Sequence, residues 1–447
     1  MSLKRGASGG RAISPPPTKR RIESTTTNNA VASFFKPASQ KPPDQISWRV
    51  LKDSLIIGRN NPTVIPPQAK IHPVRVAAFD LDDTLITATG AKFARGADAW
   101  KWWDPSIPGK LRQLYNEGYL VVIFTNQGGV SLKDKKPQTL QQDTASLAKL
   151  KSQVTNILTA LNLPMSLYGA SAQDHYRKPR TGMWQEMLED YDLTAEGAVD
   201  MKSSFYIGDA AGREKTDKRQ KADWASSDRD LATNIGIRFQ TPEEFFRGED
   251  VEPYQPAFDP SSYLSEAAIA KAGVKFEKKH KQEIVMFCGS PGAGKSTFFW
   301  RVLEPLGYLR VNQDTLKTRD RCLKAARGYL QEGLSVAVDN TNANVEARNY
   351  WISLGREFNV PVRCVHFTTP LRLAEHNDSV RALNVALMNP EKRELLPGIA
   401  FKSFQGRFQE PKLSEGFDDL TKVDFSWNGT PEQQAVWSKH WVSKFST

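Results

Sequence analysis

Short apolar runs alternate along this chain with stretches in which apolar positions recur every three or four residues, the signatures of buried strands and of amphipathic helices. One series begins at VRVAAFD (74–80) and continues through a helix around 108–117, YLVVIFTN (119–126), a helix around 140–161, LYGAS (167–171), a helix around 181–190 and FYIGD (205–209). A second begins at EIVMFCGS (283–290) and continues with a helix from Lys295, YLRVNQD (308–314), a helix around 318–332, LSVAVDN (334–340), a helix around 344–358 and VPVRCVHF (360–367). Strand and helix in alternation predict α/β architecture, a doubly wound parallel sheet in each series. Ahead of the first, Leu55-Ile56-Ile57-Gly58 predicts a lead-in strand or hairpin. Between the two lies a polar, Pro- and Lys-containing stretch that reads as a linker. The expected organisation is a tail over 1–45, a first domain over 46–246, a linker over 247–282 and a second domain over 283–447. No internal repeat relates the two series.

The tail carries eight basic residues against Glu23 and Asp44, and its Ser, Thr, Pro and Gly content offers too little apolar surface to offset the entropy of ordering. It is expected to be disordered. Lys4-Arg5 and Lys19-Arg20-Arg21 are spaced like a bipartite nuclear import signal, so a nuclear location is expected. Val31, Phe34 and Phe35 form an apolar island that resembles a degenerate sliding-clamp-binding box. The whole chain of 447 residues has net charge +11, which favours polyanionic partners. Cys288, Cys322 and Cys364 are too few for a disulfide framework or a thiolate zinc site. With no apolar run near the ~18 residues of a membrane span, no membrane role is expected, and a monomer is the working expectation.

Candidate chemistry gathers at the carboxyl ends of the runs, where open parallel sheets place their ligands. Asp80 ends VRVAAFD, and Asp82 follows it by two. A carboxylate there can attack phosphorus, while its neighbour protonates the leaving oxygen and later activates water. Mg²⁺ suits such crowded carboxylates. Thr125 and Asn126 can bond the phosphate, Lys178 can neutralise it, and Asp209 can complete a metal site with Asp80 and Asp82. Taken alone, Asp-x-Asp-x-Thr reads equally as a turn; four such elements in order do not. They resemble the haloacid-dehalogenase phosphatase superfamily, which makes Asp80 the nucleophile and Asp82 the general acid and base. A second acid in the last motif stays open among Glu214, Asp217, Asp223 and Asp228.

In the second series, Gly289-Ser290-Pro291-Gly292-Ala293-Gly294-Lys295-Ser296-Thr297 matches a phosphate-binding loop between a strand and a helix. Its backbone N–H groups face the phosphates of ATP, Lys295 bridges them, and Ser296 holds Mg²⁺. Asp314 stands at the next strand end as a base for an acceptor hydroxyl or as a helix N-cap. Asp339 and Asn340 end a third strand. Arg372 and Arg381 follow the fourth; either can close over a transferring phosphate or be an exposed helical residue.

The ordered motifs IGDAAGRE, FTNQGG, RKPRTGMW, TPEEFF, GSPGAGKST, VNQDTL and VDNTN resemble the bifunctional polynucleotide 5′-kinase/3′-phosphatase family of DNA end repair. The resemblance runs from about Val74 to Gly416-Phe417. It implies that Asp80 and Asp82 serve 3′-phosphate removal, and that Lys295, Ser296, Asp314 and Arg381 serve ATP-dependent 5′-phosphorylation. DNA ends with 3′-phosphate and 5′-hydroxyl are the implied substrates. Asp83 departs from the family's usual Gly, and the animal members' forkhead-associated domain is not expected here, since only about 30 residues separate the tail from Val74 against a modal domain of ~100. Trp100, Trp102 and Trp103 can stack on bases or pack in a core; Lys218, Arg219 and Lys221 can track phosphates or lie in a solvated loop. A metabolite kinase/phosphatase, an RNA end-healing enzyme and a nucleotide-regulated binding protein are the alternatives.

Overall fold

The structure, a computed structural model, describes residues 46–61, 73–89, 96–132, 144–217, 219–264 and 276–444. The basic tail, with its import-like clusters and the Val31/Phe34/Phe35 island, lies outside the described residues, as does Lys218.

The first domain is built on a seven-stranded sheet. Its strands are β1 (Ile46–Leu51), β2 (Leu55–Asn60), β3 (Arg75–Phe79), β6 (Tyr119–Asn126), β7 (Ser166–Ala170), β8 (Phe205–Ile207) and β9 (Arg238–Gln240). They lie in the order β1-β2-β7-β6-β3-β8-β9, with β4 (Ile86–Ala88) and β5 (Trp100–Trp102) forming a separate hairpin. From β7 to β9 the strands are parallel, whereas the lead-in folds as an antiparallel hairpin on the edge, so the sheet is mixed. In β3 and β6 consecutive apolar residues face opposite ways. Ala77, Phe79, Val121 and Ile123 enter one core, and Val76, Ala78, Val122 and Phe124 the other. That is why these strands read as unbroken apolar runs.

Helices Ile107–Asn116 and Ala145–Leu161 cover one face; Gly182–Asp190 and Ser227–Ile235 cover the other. Thr144 caps the second by accepting from Leu147 N, and Asn162 ends it in the left-handed region at φ 51°.

The second domain has five parallel strands, β10 (Ile284–Cys288), β11 (Tyr308–Val311), β12 (Ser335–Val338), β13 (Val362–Phe367) and β14 (Asp419–Val423), ordered β11-β12-β10-β13-β14. The sequence pattern missed β9 and β14: each is short and half-exposed and lacks an apolar run. In both sheets the chain reverses its direction of winding at the strand that carries the key motif, β3 or β10. A crevice at the carboxyl ends follows.

Part of the expected linker is packed. Gln255 N donates to Gly212 O (2.9 Å), and Phe258 is buried against Leu373, Val380 and Trp437. Beyond the last helix, Pro431–Trp437, residues 438–444 return to the first domain. No helix among the described residues is long and apolar enough to cross a membrane.

Candidate active sites

Parallel register sets the first site. Phe79 pairs with Ile123 on one side and Ile207 on the other, so Asp80, Thr125 and Asp209 emerge from three neighbouring strand ends. Asp80 is buried, and Lys178 Nζ lies 2.6 Å from its Oδ1 and 2.7 Å from Asp228 Oδ1. The same ammonium donates to Phe124 O and to Tyr206 Oη, both at 3.0 Å. Asp228 also accepts from Ala210 N (3.0 Å). Carboxylate oxygens of Asp80, Asp209 and Asp228 come within 4.8 Å of one another. Burial, only partly offset by Lys178 and reinforced by Asp228 and Asp82, raises the Asp80 carboxyl to about 7. Burial, with Asp228 and Asp80 nearby, pushes Asp209 well up. Three crowded carboxylates against one ammonium fit a divalent cation.

Of the four acids left open, Asp228, carried in the first turn of a helix, is the one that lies in the cluster. Asp82 is outside the cluster: its side chain is exposed and accepts from Gln127 Nε2 (2.7 Å), which also donates to Thr125 Oγ1 (2.9 Å). The Asp82 carboxylate does not join those around Lys178. Asn126 holds the Lys178 backbone from both sides, accepting from its N at 3.0 Å and donating to its O at 3.3 Å. Beside Lys178, Arg177 Nη1 and Arg180 Nε are buried without hydrogen-bond partners. Asp83 sits at φ 54°. A left-handed residue favours glycine, and aspartate is among the few others that tolerate it; Thr87 Oγ1 donates to its carboxylate (3.3 Å).

Most of the described surface candidates are engaged within the fold. Trp100, Trp102 and Trp103 are half-buried against the first core, and the Arg247 guanidinium lies 4.2 Å from the Trp103 ring centroid. Arg219 is taken up by Asp223, Glu243 and Glu252, while Lys221 is exposed.

At the second site the loop 289–294 closes over the end of β10. A Cβ at Gly292 (φ 72°) would lie 2.1 Å from Ala374 O, so only glycine fits. Lys295 Nζ turns back onto Gly289 O (3.0 Å) and Ser290 O, and burial lowers it to about 8. Ser296 Oγ donates to Asp339 Oδ2 (2.8 Å), a hydroxyl and carboxylate pair suited to Mg²⁺. Thr297 is exposed.

Asn312, not Asp314, caps the short helix there, accepting from Asp314 N and Thr315 N. Asp314 is therefore free of the capping role, its side chain 76% exposed and 3.4 Å from Arg393 Nη1. Sequence reasoning missed two arginines. Arg310 reaches Asp339 Oδ2 with Nε (2.8 Å) and Ser296 Oγ with Nη2 (3.1 Å); Arg393 Nη2 donates to Ser296 Oγ (3.0 Å). Arg393 thus spans from the loop serine to Asp314. Its segment, NPEKRELLP, is polar and without periodicity, so nothing local marked it. Arg381 pairs with Asp378 and leaves its Nε buried without a partner; Arg372 pairs with Glu375 (2.9 Å).

The polynucleotide kinase 3 phosphatase family matches residues 75–246, and an AAA domain family matches residues 284–411. A bifunctional polynucleotide phosphatase/kinase of Schizosaccharomyces pombe is 40% identical over 350 residues, 78% of this chain and 79% of that protein. The chain belongs to the bifunctional polynucleotide phosphatase/kinase family. A polynucleotide 3′-phosphatase of Arabidopsis thaliana is 37% identical over 183 residues, 40% of this chain and 25% of that protein. The two matched stretches coincide with the two crevices, and the chain is an enzyme with a phosphatase and a kinase domain.

Proposed function

We propose that this enzyme prepares broken DNA ends for ligation, removing 3′-phosphates at the first site and phosphorylating 5′-hydroxyls with ATP at the second. The arrangement that carries the reading is Asp80 at a crevice mouth with Lys178 2.6 Å away, in one chain with a phosphate-binding loop that faces Asp314.

At the first site Asp80 attacks phosphorus, and the bond to the 3′-oxygen breaks as Asp82 donates its proton to that oxygen. Asp82 then takes a proton from water; the hydroxide releases inorganic phosphate and regenerates Asp80. Lys178, Thr125 and the unpartnered N–H groups of Arg177 and Arg180 supply positive charge and donors to the phosphate oxygens. Mg²⁺, held by Asp80, Asp209 and Asp228, would offset the charge of nucleophile and phosphate. At the second site the loop N–H groups of Gly289–Thr297 and Lys295 hold the ATP phosphates. Asp314 takes the proton of the 5′-hydroxyl as that oxygen attacks the γ-phosphorus and the bond to the β,γ-bridging oxygen breaks, releasing ADP, with Arg381 and Arg393 drawn to the charge on the transferring group. Ser296 and Asp339 would hold the Mg²⁺ that ATP brings.

The test uses a nicked duplex with 3′-phosphate and 5′-hydroxyl, with Mg²⁺ and ATP. Wild type should convert both ends, Asp80→Ala only the 5′ end and Lys295→Ala only the 3′ end. Conversion of neither end by wild type, or loss of both by one folded variant, overturns the reading. Matched RNA and free nucleotides in the same assay measure the preference for DNA. The tail's basic clusters and Val31, Phe34 and Phe35 extend the proposal to nuclear import and sliding-clamp binding. A reporter fused to residues 1–45 that stays cytoplasmic, or fails to bind the clamp, removes each in turn.

A further inference from the structure

We propose that the segment Ser438–Lys444, which follows the last helix of the kinase side, is a positioning element of the phosphatase site. It contacts the backbone that leads into the Asp228 helix and, through the Asn234 side chain, the loop that carries Lys178. Ser226 N donates to Ser443 O (2.9 Å), and Ala225 forms an antiparallel bridge with Lys444. These residues immediately precede the helix Ser227–Ile235, whose second residue is Asp228. At the other end of that helix Asn234 Oδ1 accepts from His440 N (2.8 Å). Asn234 Nδ2 donates to His440 O (2.8 Å) and to Pro179 O (2.9 Å), the residue after Lys178.

The loop after β8 holds one side of the helix start, where Asp228 N donates to Ala210 O (3.1 Å) and Asp228 Oδ2 accepts from Ala210 N (3.0 Å); the C-terminal segment holds the residues that lead into it. Ser226, at the N-cap, makes no side-chain capping bond; its Oγ donates instead to Asp230 Oδ2 (2.7 Å). The bond from Ser226 N to Ser443 O fixes the backbone of the residue that enters the helix, two positions before Asp228. The segment itself is rooted on the far side: Trp437 is buried and its Nε1 donates to Asn377 Oδ1 (2.8 Å), while Asn377 Nδ2 donates to Gly292 O in the phosphate-binding loop (3.1 Å). One continuous piece of chain therefore ties Asp228 and the Lys178 loop to a rigid support in the other domain.

The inference rests on the proposed phosphatase role of the Asp80 site. Wild-type turnover tests that role; the ratio of variant to wild type tests the segment. The experiment compares the full chain with a chain lacking residues 439–447, which keeps Trp437. On a 3′-phosphorylated oligonucleotide, kcat should fall roughly tenfold or more, since a shift of ~1 Å in a reacting group costs up to ~10²-fold. The Mg²⁺ concentration for half-maximal rate should rise roughly fivefold, less than the ~10–100-fold typical when a hydrogen-bond partner of a metal ligand is itself removed, because the segment bonds no ligand side chain directly. KM for the oligonucleotide and the 5′-kinase rate should each stay within about twofold of wild type, as none of the residues assigned to either reaction is removed. Unchanged phosphatase kcat and Mg²⁺ dependence overturn the proposal. Should truncation lower both reactions together, Asn234→Ala in the full chain decides. The same split, with wild-type melting temperature, supports the proposal, and unaltered phosphatase kinetics refute it.

Discussion

Replacing Lys178 by methionine keeps most of the side-chain volume and removes the cation bonded to both Asp80 and Asp228. With Nζ 2.6 Å from Asp80 Oδ1 and a reacting phosphorus ~3 Å from that carboxylate, ammonium and phosphorus come within about 5 Å. At an effective dielectric constant near 20 this separation is worth about 3 kcal/mol per unit of negative charge. A loss of that size lowers kcat/KM about 10²-fold, more where the transition state gathers charge. The assay is phosphate release from a 3′-phosphorylated oligonucleotide, with 5′-phosphorylation by the same preparation as the internal control. Stability should move too. Two buried carboxylates left facing each other without their cation cost about 3 kcal/mol at pH 8 in chelator, and protonation at pH 5 relieves part of it. A phosphatase loss below about tenfold, with an unshifted melting temperature at pH 8, would refute the electrostatic account.

Three further outcomes follow from the same geometry. In chelator, Asp80 is harder to ionise folded than unfolded: its carboxyl rises from 3.8 to about 7, so its stabilising contribution is complete below the unfolded value and is lost as pH rises through about 7. Mg²⁺ should therefore raise the melting temperature more at pH 8 than at pH 5.5, and a pH-independent Mg²⁺ shift contradicts the cluster. Asp83→Gly should change stability by less than about 1 kcal/mol, because relief of the left-handed backbone is offset by added chain entropy and the lost Thr87 bond; phosphatase turnover persists, and a collapse in activity would show that the Asp83 carboxylate itself acts. Arg393→Ala should lower 5′-kinase kcat by about 10²-fold, the usual loss of one donor at a transferring group. A kinase rate left within threefold of wild type would assign Arg393 to packing alone.

The local pattern of residues determined the two α/β series, the strand ends that bear Asp80, Thr125 and Asp209, and the loop at Gly289–Thr297. Strand alternation and phosphate cradles are short-range: a carboxylate after an apolar run, or glycines where the backbone must turn inward, are written in adjacent positions. Tertiary structure decided what depends on chain segments meeting from afar. Asp228 was one of four acids until the helix carrying it docked beside Lys178, and Asp82, two residues from Asp80, was turned away from the cluster. Asp314 lost its capping reading because Asn312 took that place. Arg393, in a polar stretch without periodicity, reached Ser296 only through a fold that brings residues 97 positions apart within 3.0 Å. The return of residues 438–444 to the first domain had no sequence signal at all. Its bonds to Ser226 and Asn234 join positions more than 200 apart, and on the segment's side they use the backbone N and O of His440 and the O of Ser443, which every residue type presents alike.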